Sequence, residues 1–220
     1  MEQSNHTAYP VDTRNKVKRK PKRGFYDKET VYKILDEAFV CHVGFSMDGQ
    51  PFVIPTSYGR DGNKIYLHGA TTSRMMKALE KGIPVCITVT HVDGLVLARS
   101  VMHHSMNYRS VVIFGTAHLV PMEEKYEALK IVTNHIIADR WEESRTPNAK
   151  ELKATTVLCV EIEQASAKIR AAPPGDDKPD YELPYWAGIV PIRQVYGEPE
   201  NGPLLREGIE VPNSVKQLYD

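Results

Sequence analysis

Three Asp-Gly pairs, Asp48-Gly49, Asp61-Gly62 and Asp93-Gly94, punctuate the first half of the chain, each between runs rich in apolar and β-branched residues. A two-residue Asp-Gly link is the strongest short-range hairpin signal, because glycine takes positive φ at little cost and so tight a turn joins only antiparallel strands. The stretch "VCHVGFSMDGQPFVIPTSYGRDGNKIYLHG" therefore predicts three antiparallel strands in about 30 residues. "PVCITVTHVDGLVLARSVMHH" predicts a further hairpin through Asp93-Gly94.

The remaining elements fit around these hairpins. "YDKETVYKILDEAF" reads as a helix, with Asp27 as N-cap and Val31, Ile34, Leu35 and Ala38 at i, i+3, i+4 and i+7. A second helix is expected from Arg74 to Lys81, ended by Gly82 and Pro84. "NYRSVVIFGTAHLV" reads as a strand. A longer helix follows from Met122 to Trp141, with Tyr126, Leu129, Ile136 and Ile137 on one side. "ATTVLCVEIEQASAKIR" supplies a long strand, bent near Gln164. Beyond it the chain is dense in Pro, Gly and Asp and reads as an irregular arm. Seven short, mostly hairpin-linked strands with inserted helices make a mainly β, α+β chain, a closed or nearly closed antiparallel barrel. Residues 1–23 are expected as a basic, flexible arm, 24–172 as the barrel, and 173–220 as an irregular arm packing on the barrel or a partner subunit. A barrel this small fills its own interior, so a large ligand belongs outside it or at a subunit interface.

Charge and cysteine usage narrow the partners. Residues 1–23 hold seven basic residues and two acids, Glu2 and Asp12. Of 28 residues of each sign in the whole chain, residues 24–220 keep 21 basic and 26 acidic, a balance of −5. A basic arm suits nucleic acid or a phosphorylated ligand, but a body without basic excess argues against nucleic acid as the main partner. No apolar run is long enough for a bilayer and the N-terminus has no signal-type apolar stretch, so a cytoplasmic protein is expected. Cys41, Cys86 and Cys159 lie far apart among apolar residues, as reduced buried thiols do.

The junction "IYLHGATTSRMMKALEKG" raises the one specific chemical possibility. His68, Gly69, Thr71, Thr72, Ser73 and Arg74 precede or open a helix, where backbone N–H groups, small hydroxyls and one cation suit a phosphate. Ordinary capping by Ser73 explains the same residues equally well. Upstream, Pro55 sits mid-strand without an N–H to donate, marking an edge, a bulge or the approach of a ligand, beside Thr56, Ser57 and Tyr58.

The order "VCHVGF…DGQPFVIPTSYGRDGNKIYLHGATTSRMMKAL…PVCITVTHVDGLVLARS…NYRSVVIFG" resembles the pyridoxamine 5′-phosphate oxidase-like, FMN-binding split-barrel proteins, near the branch of the nitroimidazole-resistance flavoproteins. The resemblance covers about residue 20 to residue 195. It implies a homodimeric split barrel with FMN in the grooves between subunits. Val53, Ile54, Pro55, Thr56, Ser57 and Tyr58 would lie along the isoalloxazine ring. His68-Gly69 and Ser73-Arg74 would hold the ribityl phosphate. The oxidases proper follow that Arg with a phosphate-binding Lys; here the position is Met75, and Lys77 is the nearest replacement. The basic arm of a partner subunit is another. Trp186, in the C-terminal arm, would cover the ring of the partner's flavin.

"MHHSMNYRS", from Met102 to Ser110, joins two strands. His104, Tyr108 or Arg109 is expected near the flavin, with Tyr108 and Arg109 counted among the cofactor-binding residues and Arg109 suited to its reduced, anionic form. His103 and His104, adjacent in an extended segment, point to opposite sides and form no metal pair. The leading reading is an FMN-dependent redox protein acting on a small cytosolic substrate, with a non-catalytic flavin-binding protein and a haem-handling protein on the same barrel as alternatives. The missing Lys, and a Trp186 followed by "AGIVPIRQVYG" without the Arg-x-His signature, argue against pyridoxamine 5′-phosphate oxidation itself.

Overall fold

The computed structural model describes residues 7–219. In chain order it contains β1 (Gly24–Phe25), α1 (Lys28–Asp36), β2 (Val40–Met47), β3 (Gln50–Asp61), β4 (Lys64–Ala70) and α2 (Arg74–Leu79). These are followed by β5 (Pro84–Leu97), β6 (Ser105–Leu119), α3 (Lys125–Ile136), α4 (Ala149–Ala154), β7 (Thr155–Glu161), β8 (Gln164–Arg170), β9 (Gly188–Pro191) and α5 (Asn213–Lys216). They divide into two compact units. One comprises the chain up to Thr56, Pro84–Thr116 and Glu161–Arg193; the other comprises Ser57–Ile83, Ala117–Val160 and Gln194–Asp220. No helix among the described residues is long and apolar enough to cross a membrane.

In the first unit the long strand β6 is central. It pairs antiparallel with β5 on one side and β8 on the other; β2 and β9 add to β5, and β1 to β8. Alternation along these strands sends Val43, Ile87, Val89, Val111, Ile113, Ala165 and Ala167 inside. Helix α1 packs on β5 and β8 through Val31, Ile34 and Leu35. Its start is fixed by Asp27, whose carboxylate accepts the Thr30 N–H at 2.7 Å. Asp48 and Gly49 both take positive φ, 52° and 78°, as a primed two-residue hairpin requires.

Asp93-Gly94 is not a turn. Strand β5 runs on through it, and only its register with β6 slips, between Val92 and Gly94. The reason is a third strand. A Cβ at residue 94 would stand 2.9 Å from the Val190 carbonyl oxygen, so glycine here answers the close approach of β9. The Ile192 N–H closes the contact, donating to the Asp93 carbonyl at 3.0 Å. The reversal falls instead at Ala98–His104, where Asp176 holds the backbone.

Residues 7–23, expected to be flexible, are tied down. Asn15, 3% exposed, donates to the carbonyls of Pro10 and Ala165, and the Val17 N–H donates to the Tyr26 hydroxyl. Residues 1–6 of that arm lie outside the described residues. The C-terminal segment is less irregular than its composition suggests, since it supplies β9 and α5.

The second unit sets part of β3 against β4, and β7 against the end of β6. Helices α2 and α3 pack on β4. Val120, Ala128 and Val157 form a core with Tyr66, Leu129 and Cys159. Helix α3 is shorter than the Met122–Trp141 span expected, and its buried face is Lys125, Ala128 and Val132. The Lys125 ammonium donates to the carbonyls of Leu152 and Thr155, at the C-terminus of α4, which satisfies its charge inside the unit. The expected bend near Gln164 is the break at Ile162–Glu163 between β7 and β8.

Candidate functional site

The second unit holds the phosphate-type junction. Strand β4 ends at Ala70, two residues turn, and Ser73 sits extended (φ −61°, ψ 131°) at the cap position of α2. Its hydroxyl makes no capping bond, so the simple capping explanation fails. Two of the junction's N–H groups are used internally, Thr71 to Ala154 and Ser73 to Ala70. A helix leaves its first N–H groups without intrahelical partners, so those that open α2 remain. Because α2 has only six residues, its dipole is small, and the hydroxyls and cations must carry the anion chemistry.

Helix α2 buries Met75, Met76, Ala78 and Leu79 and turns Arg74 and Lys77 outward, three residues apart on one face. Met75 is only 5% exposed. The position where the oxidases carry their phosphate Lys thus faces the core here, and Lys77 is the residue sharing Arg74's face. Gly69, expected to admit a ligand, has a nearer reason. A Cβ there would meet the Met76 side chain at 3.1–3.2 Å, so the glycine lets α2 close on β4. His68 is half-buried; its Nδ1 is sealed from solvent without a hydrogen-bond partner, and burial lowers the imidazole's pKa. The junction thus offers hydroxyls, two cations and one neutral imidazole. Tyr58 is fully buried, its ring tilted 46° against that of His135 with centres 4.7 Å apart, so its side chain is not exposed to a ligand.

Ser57 lies in the second unit, half-buried; the first unit holds the other expected residues. Along β3, Val53 (68% exposed) and Pro55 face solvent, while Ile54 and Thr56 are half-buried. Tyr108 lies in β6 opposite Val92 and Arg170. Arg109 departs most from expectation. Its guanidinium is paired with Asp93 at 2.9–3.3 Å and with Glu37, and the Asp93 hydrogen bonds above all raise its pKa. With two carboxylates already matching its charge, Arg109 is not the uncommitted cation expected for a reduced flavin. Trp186 is 66% exposed and plugs no apolar patch; its ring leans on Gly188, where a Cβ would come within 2.6 Å.

One residue was missed. Asp176, in the Pro-rich segment, has a side chain 1% exposed. It accepts the N–H groups of Arg99 and Ser100 and the Arg99 guanidinium at 3.0–3.2 Å, and lies 3.9 Å from His103 Nδ1. Burial alone would raise its pKa, but those donors outweigh it and the net shift is downward. Nothing in "APPGDDKPD" marks this Asp over its neighbours.

Residues 27–169 match the family model described as pyridoxamine 5′-phosphate oxidase. The chain belongs to the pyridoxamine 5′-phosphate oxidase-like family. Among solved structures, this family member is similar to the flavocytochrome Anf3 from Azotobacter vinelandii, with 40% identity over 96% of this chain and 98% of that one, and a TM-score of 0.89. It is also similar to the FAD and haem binding protein from Mycobacterium smegmatis, with 33% identity over 90% and 97% of the two chains and a TM-score of 0.87. A protein assigned to 5-nitroimidazole antibiotic resistance, from Bacteroides thetaiotaomicron, aligns with 26% identity over 66% and 86% of the chains, at a TM-score of 0.55. A search of curated proteins returned no significant match. The sheet-dominated antiparallel architecture is that of this family's split barrels, as expected from the hairpin pattern.

Proposed function

We propose that the protein is a flavin- and haem-binding redox protein. The observation that carries this is similarity over nearly the whole length to two proteins named for a flavin and a haem, one of them 40% identical. The β4–α2 junction fits a flavin phosphate: the Ser73 hydroxyl is not spent on capping, and Arg74 and Lys77 share one exposed face. The haem part of the proposal rests on those two relatives, since the junction's one imidazole, His68, has its unpartnered Nδ1 sealed from solvent. Bound flavin and haem would supply the electron transfer; the protein's part is to hold the phosphate and exclude water.

FMN was the expectation from a single phosphate-type junction, but the M. smegmatis relative is named for FAD, and similarity over 90% of this chain favours the dinucleotide. The test is the visible spectrum of the purified protein with chromatography of the released flavin. A flavin band with a Soret band and FAD on the column is the expected result. Flavin alone, with FMN released, would return the protein to the sequence expectation. A colourless protein that binds neither flavin nor haem would overturn the proposal.

The same reading makes it a cytoplasmic homodimer acting on a small substrate, in keeping with three cysteines that form no disulfide. The β6 face that carries Val111 and Ile113 is internal, with both fully buried, and leaves nothing there for a partner to cover. Better support comes from Met106, Leu95 and Val190, which stand opposite one another across β6, β5 and β9 and are each 44–48% exposed. Sedimentation across a dilution series should show dimer; a monomer retaining stoichiometric flavin would contradict it.

A further inference from the structure

The N-terminal arm carries more cations than one flavin phosphate, beside Arg74 and Lys77, needs. Between Thr13 and Tyr26 the chain has no acidic residue and seven basic ones. Arg14 is spent: it pairs with Glu163 at 3.3 Å, donates to Gln164, and lies over the Phe114 ring at 5.0 Å. Lys16, Lys18, Arg19, Lys20, Lys22 and Arg23 are different. Five are exposed and Arg23 half-exposed, and among the described residues none of the six makes an ion pair. The Asn15 and Val17 hydrogen bonds hold the backbone they project from. Strand β8 adds Lys168, opposite Gly24 of β1, and Arg170, whose guanidinium meets Asn107 and the carbonyls of Ala172 and Pro173 but no carboxylate among the described residues. Arg23 is close enough that its charge lowers the Arg170 pKa, after burial the next largest effect. Like charges gathered on a fixed backbone repel one another and destabilise the fold, unless an anionic partner offsets them.

We propose that this ridge is the docking surface for a compact acidic protein, an electron carrier with a carboxylate-rich face. That the partner is an acidic protein rests on the ridge itself; that it carries electrons rests on the function proposed above. The charge distribution favours a protein over a nucleic acid. Residues 1–23 carry a net +5 and the remainder −5, so a long polyanion extending past the ridge meets a repelling body, whereas a compact acidic face does not. Four of the six cations are Lys, hydrated point charges suited to fast, reversible encounter, rather than the Arg forks that grip phosphates in pairs. A membrane surface is disfavoured because the arm's cations sit on an irregular segment and one 3-10 turn, not on an amphipathic helix.

The test uses the full chain as purified and three probes: a labelled plant-type [2Fe–2S] ferredoxin, a single-stranded 20-mer oligo(dT), and vesicles containing phosphatidylserine. Binding is followed by fluorescence anisotropy, or by sedimentation for vesicles, at about 20 and 200 mM salt, where a 10 Å separation spans about half and then about one and a half screening lengths. The expected result is ferredoxin binding that weakens at least tenfold with salt and at least tenfold in Lys18→Glu/Arg19→Glu/Lys20→Glu. The control Lys150→Glu/Lys153→Glu, on exposed positions of α4, should bind as the parent does. Circular dichroism confirms that the ridge variant folds; if it does not, the single Lys18→Glu and Lys22→Glu variants are read instead. Stronger binding of the oligonucleotide or vesicles, no salt-dependent ferredoxin binding, or equal loss in the control would overturn the proposal. Flavin content, read by absorbance on the same samples, separates this outcome from failure of the flavin reading, because docking to the ridge does not require flavin.

Discussion

Arg74 and Met75 are adjacent in sequence and face opposite ways, and that difference decides what each can do. If Arg74 pairs with a flavin phosphate, Arg74→Ala should weaken flavin-nucleotide binding by about 1.5–3 kcal/mol, the usual worth of a charged hydrogen bond, and leave riboflavin binding nearly unchanged. Fluorescence-quenching titrations with both ligands check this; equal losses would assign Arg74 to folding. Restoring the oxidase-type Lys at the next position should fail. Met75 is 5% exposed, so Met75→Lys buries an ammonium without a partner and should lower stability by several kcal/mol in urea melts, with no gain in affinity. Asp176 allows a pH prediction. Its folded-state pKa lies below the ordinary 3.8, so its stabilising contribution is complete above about pH 5 and is lost as pH falls through the folded value. The stability gap between the parent and Asp176→Asn should hold from pH 7 to about pH 5 and close on further acidification. A gap independent of pH would show that the Arg99 and Ser100 contacts do not depend on the carboxylate's charge.

Between elements, the tightest constraint is the seat of α3. A Cβ at Gly59 of β3 would stand 2.7 Å from the Val132 Cα and 2.8 Å from its backbone nitrogen. Backbone does not yield as a flexible side chain does, so Gly59→Ala must push α3 away from the sheet. We expect a loss of about 1–3 kcal/mol, as for overpacking a core, read as a lowered Tm with the fold retained. The same close approach explains why the helix face was misread. Tyr126 and the large aliphatics gave the stronger apolar pattern, but the apolar residues buried are Ala128 and Val132, Leu129 packs at the edge of the core, and Tyr126 packs edge-on against Trp141 at 5.0 Å. Asp93-Gly94 failed for a related reason. Asp-Gly marks a place where the chain tolerates unusual backbone or close neighbours, and sequence does not say which. At Asp48-Gly49 the strands turn back; at Gly94 a distant strand arrives.

For the whole molecule, family membership and activity separate. The chain belongs to a family named for pyridoxamine 5′-phosphate oxidase, yet that reaction needs cations for the substrate's phosphate as well as the flavin's. Met75 is buried where those enzymes place Lys, and "AGIVPIRQVYG" after Trp186 contains Arg193 but no His. Losing two charged contacts of about 1.5–3 kcal/mol each weakens substrate recognition at least about a hundredfold. Flavin-loaded protein should therefore make negligible hydrogen peroxide from pyridoxamine 5′-phosphate in air; turnover on the order of 1 per second, common for metabolic enzymes, would refute this. The sequence alone determined what depends on near neighbours: the Asp27 cap, the Asp48-Gly49 hairpin, the alternation that makes β6 a core strand, and the order of segments that carries the family. These are set by backbone sterics and local hydrogen bonds within a few residues. Only the tertiary structure decided which charges are already matched and which side chains turn inward. Arg109 meets Glu37 across 72 residues and Asp176 meets Arg99 across 77, and no local rule brings such groups together. The outcome there follows from how the strands pack, because a buried charge takes whichever partner the fold delivers.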